Sequence, residues 1–165
     1  MKDIEFTYLV QPPKRYTFEQ PKVKEYVEAN CNGKVLNLFA GKVRLNADEV
    51  RVDLSDEFNP DYCMDAFEFC KYACENGMVF DTIILDPPYS YRKSMEKYNG
   101  KTCSSFVKVK DMIPKILSDG GTVITFGYSS SSMGKVRNFI KVGVCLICHN
   151  GAHHDTICLV ERYCR

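Results

Sequence analysis

Apolar positions along this chain follow two periods that alternate with each other. Runs with period two, or continuous β-branched runs, mark strands; stripes at i, i+3, i+4 mark helices. The first fifteen residues hold Pro12-Pro13 and no clear period, and read as an arm or an edge strand followed by a loop. Thr17-Phe18-Glu19-Gln20-Pro21 predicts a helix start, since Thr17 and Gln20 have capping-box spacing and Pro21 suits a first turn. That helix carries Val23, Tyr26 and Val27 on one face and stops at Asn32-Gly33. A short strand over Lys34–Gly41 ends in small residues, and a second over Glu49–Asp53 ends in an acid. Asp65 to Asn76 predicts a helix closed by Gly77, with Phe67, Cys70, Lys71 and Cys74 near helical spacing. Phe80–Leu85 reads as a buried strand.

The second half continues the alternation. Ser90 to Ser105 is polar and basic, contains Asn99-Gly100, and predicts a mobile loop. Val109, Met112, Ile113, Ile116 and Leu117 form a helical stripe, with Pro114 inside it predicting a kink or a late start. Gly120-Gly121 is expected to end that helix before a strand over Thr122–Phe126. Ser129 to Ser132 predicts the cap of a short helix through Lys141. Val142–His149 and Thr156–Tyr163 then pair across Asn150-Gly151 as a hairpin. Such an order predicts one α/β domain: a Rossmann-like, mostly parallel sheet with an antiparallel C-terminal hairpin and helices on both faces. One spacing is tight. Only Lys42 to Asp48 separate the first two predicted strands, whereas a parallel crossover takes a dozen residues or more. The helix there must be absent or a single turn, or one strand boundary is misread.

Composition changes this picture little. The 165 residues fit a single domain, with residues 1–15 as its arm, and 45% hydrophobic with 26% charged residues is ordinary. No run has the length of a membrane span, and Met1-Lys2-Asp3-Ile4-Glu5 lacks a signal-peptide core, so a cytoplasmic protein with no membrane partner is expected. Nine scattered cysteines suit a reducing compartment. The net charge of +1 carries no global nucleic-acid signal, but the charge is unevenly placed. Asn46 to Cys70 holds eight acids against Arg51 alone, while Ser90 to Lys115 holds seven bases against Glu96 and Asp111. The basic stretch suits a polyanion as well as it suits a solvated face.

Candidate chemistry concentrates at Asp86-Pro87-Pro88-Tyr89, directly after the Phe80–Leu85 strand. Two prolines cannot continue the ladder, so the chain leaves the sheet at Asp86, at the strand end where α/β sheets bind ligands. Asp86 and the Pro87 carbonyl are acceptors suited to the two hydrogens of an exocyclic amine, and Tyr89 offers a ring face for a planar base. A Pro-Pro turn capped by Asp86 is the bland alternative. Upstream, Ala40 and Gly41 after the first strand permit close approach of a nucleotide-like cofactor, and Asp53 is placed to accept from ribose hydroxyls.

Glycine turn, acid, Asp65-Ala66-Phe67 and then DPPY is an order that resembles the adenine-specific amino-methyltransferases of the class I, S-adenosylmethionine-dependent fold, from about Thr17 onward. The resemblance implies methyl transfer to the N6 amino group of adenine in DNA, with Asp86, Pro87, Pro88 and Tyr89 catalytic. It implies that Asn37, Phe39, Ala40 and Gly41 line the cofactor's methionine side and Asp53 holds its ribose. Asp65, Ala66 and Phe67 would meet its adenine, and Thr17, Phe18 and Gln20 its amino-acid end, with Asp86 alongside. Val43 and Asn37 stand where that family usually has a second glycine and an acid. Ser90, Arg92, Lys93, Lys97 and Lys101 are the expected nucleic-acid contacts. No separate target-recognition domain is apparent, so specificity would come from the loop, the arm, a homodimer or a specificity subunit. An RNA amino-methyltransferase and a non-catalytic nucleic-acid-binding subunit remain the alternatives.

Other motifs point to no further chemistry. Cys145-Leu146-Ile147-Cys148-His149 has haem-attachment spacing inside a predicted strand, and Cys148, His149, His153, His154 and Asp155 fit no standard zinc pattern, so no metal is expected. No Pro-Cys pair is present for a cytosine-C5 nucleophile, and no catalytic triad is recognisable.

Overall fold

A computed structural model describes residues 3–88 and 104–165, together with the backbone of 97–98 and 101–102. In chain order the elements are β1 (Glu5–Val10), α1 (Pro21–Asn30), β2 (Lys34–Asn37), β3 (Asp48–Asp53), β4 (Tyr62–Cys63), α2 (Ala66–Glu75) and β5 (Phe80–Leu85). β6 (Lys97–Tyr98), β7 (Lys101–Thr102), α3 (Phe106–Ile116), β8 (Leu117–Gly127), β9 (Phe139–Cys148) and β10 (Thr156–Tyr163) follow. One sheet carries the order β1-β9-β10-β8-β5-β2-β3-β4, and β6 and β7 pair separately. Every neighbouring pair in the large sheet is parallel except those of β10, which runs antiparallel to both β8 and β9. The expected α/β sheet with its antiparallel C-terminal strands is therefore present.

Alternating strand residues divide the core between the two faces. Leu36, Ile83, Leu85 and Val123 pack under α2 and α3, with Phe69, Ala73, Val109 and Ile113. Val35, Ile84, Ile124 and Phe126 face the other way, onto Val23 and Val27 of α1. Among the described residues, no helix is long and apolar enough to cross a membrane.

The narrow gap between β2 and β3 is real. The two strands pair in parallel from Lys34 opposite Asp48 to Asn37 opposite Arg51, and residues 38–47 form no helix. α1, which precedes β2 rather than following it, covers that face, and Val43, Leu45 and Ala47 of the loop fill beside it. Buried polar groups hold the loop down. Glu49 accepts from Asn37 Nδ2 at 2.9 Å and from the Leu45 amide at 3.1 Å. Arg51, 1% exposed, lies 3.9 Å from Glu49 and donates to the carbonyls of Phe58 at 3.0 Å, Asn59 and Gly41. Burial pulls the Arg51 pKa below the usual arginine value, and the Glu49 carboxylate opposes that shift.

Three expectations change. The helix expected from the serine run through Lys141 is only a 3-10 turn at Lys135–Arg137, because Gly134 and Asn138 sit at φ of 72° and 63° and break it at both ends. β9 starts early, at Phe139. Gly120-Gly121 does not separate a helix from a strand: α3 passes into β8 at Leu117, and the pairing shift between Phe80–Leu117 and Thr82–Thr122 absorbs the extra residues. Residues 5–10 are an edge strand, parallel to β9. Its odd side, Thr7 and Leu9, turns toward the α1 face, while Phe6 (66% exposed) and Tyr8 (55%) lie on the other side with Ile4 and Val10.

Candidate active site

With β2, β3, β5 and β8 parallel, their carboxyl ends open on one sheet edge, where a cavity of about 420 Å³ lies. That volume is within the roughly 300–1,000 Å³ typical of small-molecule sites. One wall is the loop after β2. Leu38 donates its amide to the Ile84 carbonyl and Ala40 to the Val52 carbonyl, so both flanking strands steer the loop as it leaves the sheet. The Gly41 amide then donates to Asp53 Oδ2 at 2.9 Å, and Asp53 Oδ1 accepts from the Ser55 amide at 2.9 Å. Gly41 has φ of +56°, and a Cβ there would meet only the Tyr16 ring edge at 3.9 Å. Backbone conformation rather than crowding therefore asks for glycine. Beyond Asp53 the wall is apolar: Leu54, Phe58, Met64 and Ala66 line it. Tyr16 meets Phe58 edge-on at 5.5 Å, and the Arg15 guanidinium lies 5.4 Å from the Tyr16 ring centre.

The second wall is the Asp86-Pro87-Pro88 turn after β5. Thr17 Oγ1 donates to Asp86 Oδ2 at 2.5 Å, bridging 69 residues of sequence. A charge-assisted bond of this kind is stronger than a neutral one and orients the carboxylate. Phe18 beneath it is buried edge-on against Phe126, 5.9 Å between ring centres. Gly127 and Tyr128 at the end of β8, with Thr156 at the start of β10, close the far side.

The cavity thus gathers Thr17, Phe18, Phe39, Ala40, Gly41, Asp53, Ala66, Asp86, Pro87 and Pro88 from the sequence-based set. Four others lie outside its lining. Gln20 is buried at the N-terminal cap of α1, and its Oε1 has no hydrogen-bond partner among the described residues. Asn37 is buried beneath the loop on Glu49. Asp65 caps α2 through the Phe67 and Glu68 amides and accepts from the Ser104 amide. Phe67 packs on the core, with the Lys71 and Lys108 ammonium groups 5.2 and 5.9 Å from its ring centre. Tyr89, Ser90, Arg92 and Lys93 fall outside the described residues, as do the side chains of Lys97 and Lys101.

Sequence reasoning missed Arg15, Tyr16, Leu54, Phe58, Met64, Phe126, Tyr128 and Thr156. Tyr16 beside Thr17, Leu54 beside Asp53 and Met64 beside Asp65 had a local cue; the others belong to no motif of their own. No cysteine among the described residues lines the cavity; Cys158 on β10 is fully buried, and burial first and the Asp86 charge among lesser causes hold its thiol well above the usual value. Burial pushes the thiols of Cys31 and Cys70 up to about 12 and that of Cys145 to about 11, so none is a thiolate near neutral pH. Among the described residues, no three His, Cys, Asp or Glu side chains come together as a metal site.

No family model matches the chain. It is 30% identical over 112 residues to the "Ribosomal RNA large subunit methyltransferase I" of Aliivibrio fischeri, an alignment covering 67% of this chain and 26% of that protein. It is 28% identical over 86 residues to the "tRNA (guanine(10)-N(2))-methyltransferase" of Saccharomyces cerevisiae, covering 52% and 19%. The chain thus spans about a quarter of the length of the first of these relatives. Among solved structures, that of "SMU.776, a putative methyltransferase complexed with SAH" aligns at a TM-score of 0.60, with 18% identity over 86% of this chain and 48% of that one. A SAM-dependent methyltransferase from Agrobacterium tumefaciens aligns at 0.54, with 19% identity over 85% and 58%. The fold is that of the class I methyltransferases.

Proposed function

We propose that this chain is a methyltransferase using S-adenosylmethionine, and that its acceptor is the exocyclic amino group of a nucleobase in RNA. One observation carries the reading. The Thr17–Asp86 pair and the prolines after it share a single cavity with the bare glycine loop and Asp53.

The residues present fit the cofactor. The slot of Leu54, Phe58, Met64 and Ala66 suits a purine ring, Asp53 keeps acceptor capacity for ribose hydroxyls, and the missing side chain of Gly41 leaves room beside the loop. When bound, the cofactor supplies a methyl group made electrophilic by its sulfonium. On the acceptor side, the Asp86 carboxylate and the Pro87 carbonyl accept hydrogen bonds from the two hydrogens of the amine. Those bonds raise the availability of the nitrogen lone pair and aim it into the cavity. Thr17 fixes the rotamer of Asp86 for that purpose. Tyr89 would stack the base, and Ser90, Arg92, Lys93, Lys97 and Lys101 would meet phosphates.

The named RNA substrates of both relatives favour RNA, and the guanine-N2 name of one is itself an exocyclic amine. Adenine N6 in DNA is the second reading, favoured by the DPPY tetrapeptide. Incubation with radiolabelled cofactor and either total RNA or duplex DNA separates the two. Label in RNA, recovered as an N-methylated purine, is the expected result. Label in DNA alone would overturn the substrate, and absence of calorimetric binding of the cofactor would overturn the whole reading.

A further inference from the structure

Because β10 runs against both β8 and β9, the turn joining β9 to β10 emerges at the same sheet edge as the Asp86 turn. The turn is made by Asn150 and Gly151, at φ of 56° and 74°. The ring of His149, buried, sits between the Gln11 carbonyl (Nδ1, 2.8 Å) and the Thr156 hydroxyl (Nε2, 3.0 Å). Asp155 closes the loop by accepting from the His149 amide at 3.3 Å. Those four residues account for the conformation of the turn.

His153 and His154 lie between them, exposed, and make no hydrogen bond through their rings among the described residues. They form part of a file of rings instead. His149 meets His153 at 6.2 Å, His153 meets His154 at 6.2 Å, and His154 meets Tyr128 at 6.0 Å, each edge to face. Tyr128 is 45% exposed and lines the cavity. The file runs from a buried anchor to the mouth of the site, and its outer three members are exposed residues. Exposed aromatic side chains beside a site that takes a nucleobase fit the neighbouring bases of a strand, since every base has a π-face and stacking tolerates any sequence. Bases inside a duplex already cover their faces, so the matching ligand is unpaired.

We propose that Tyr128, His154 and His153 form a stacking platform for unpaired RNA bases next to the methylated one. This rests on the nucleic-acid reading given above. The platform selects single-stranded or looped RNA and supplies affinity beside the cavity without touching the cofactor.

The test is fluorescence anisotropy of a labelled single-stranded RNA oligomer and of its duplex, with calorimetry of S-adenosylhomocysteine in parallel. The wild-type protein is expected to prefer the single strand. His153→Ala combined with His154→Ala should weaken that binding by on the order of tenfold or more, leaving cofactor-product binding unchanged. His154→Phe should keep single-strand affinity within about twofold, while His154→Lys should not. Equal binding by the alanine variants, equal affinity for the duplex, or rescue by lysine and not by phenylalanine would overturn the platform. Anisotropy needs no cofactor. Failure of S-adenosylhomocysteine to bind the wild-type protein would therefore count against the proposed function, while the anisotropy would still decide for or against the platform.

Discussion

On the β2–β3 side of the cavity the backbone is fixed from below: Arg51 reaches the carbonyls of Gly41, Phe58 and Asn59, and Glu49 reaches Asn37 and Leu45. On the β5 side the turn carries two proline rings, and the Thr17 hydroxyl reaches across to donate to Asp86. The first wall is built into the core that stands in for a crossover helix, so its loss is a loss of folding. The second hangs from a rigid strand end and can be altered without disturbing the sheet. Cofactor-side residues should therefore report in stability, and acceptor-side residues in turnover.

The sharpest way to break that contrast is Arg51→Met. It leaves Glu49 buried without its cation and the Phe58 and Gly41 carbonyls without the Arg51 donor, while Asn59 keeps Arg44 at 3.4 Å, and breaking a buried pair costs about 3–5 kcal/mol. Urea unfolding should show that loss, and a midpoint equal to wild type would erase the distinction. Asp86→Ala should do the reverse. Methyl transfer should fall by about 10²- to 10³-fold, the scale of one lost preorganised contact, while the urea midpoint and S-adenosylhomocysteine affinity stay near wild type. Thr17→Val keeps the shape and removes the hydroxyl. A hydrogen bond to a charged group is worth about 1.5 kcal/mol or more, so kcat should fall about tenfold, with cofactor affinity little changed; an equal fall in stability would move Thr17 to the structural side. Gly41→Ala should be the mildest, costing about 1 kcal/mol for a left-handed φ in a position with room for the methyl group. Calorimetry should show a small loss of cofactor affinity, and a complete loss would mean that the backbone there is touched more closely than the space suggests.

Much of this edge was legible in the sequence because its signals are local. Two prolines after a β-branched run end a strand wherever they occur, so the Asp86 turn was placed correctly. Asp65 before an apolar helical stripe was also visible, though as a ligand contact, whereas its carboxylate caps α2. The shortness of the β2–β3 gap could be counted. What replaces the helix could not, because Glu49 and Arg51 read as the polar positions of an alternating strand and only the folded loop buries them. The serine run invited a helix that Gly134 and Asn138 forbid, a point that depends on backbone angles rather than on spacing. The ring file was hidden for a different reason: Tyr128 and His154 belong to separate segments, and only the direction of β10 brings them together.

The position of β1 has a consequence for how the protein reaches this state. His149 of the β9 end closes on Gln11 across 138 residues of sequence, and β1 lies beside β9 along its whole length. During synthesis β1 exists long before its partner, with Phe6 and Tyr8 on a strand that has nothing to pair with. Contacts so distant in sequence slow folding, and unpaired strand edges attract other chains while they wait. Refolding from denaturant should therefore end with the docking of β1, and yield should fall as protein concentration rises. The last contact to form includes His149, the buried anchor of the ring file that runs to the mouth of the site, so late assembly and access to the substrate would converge on the same few residues.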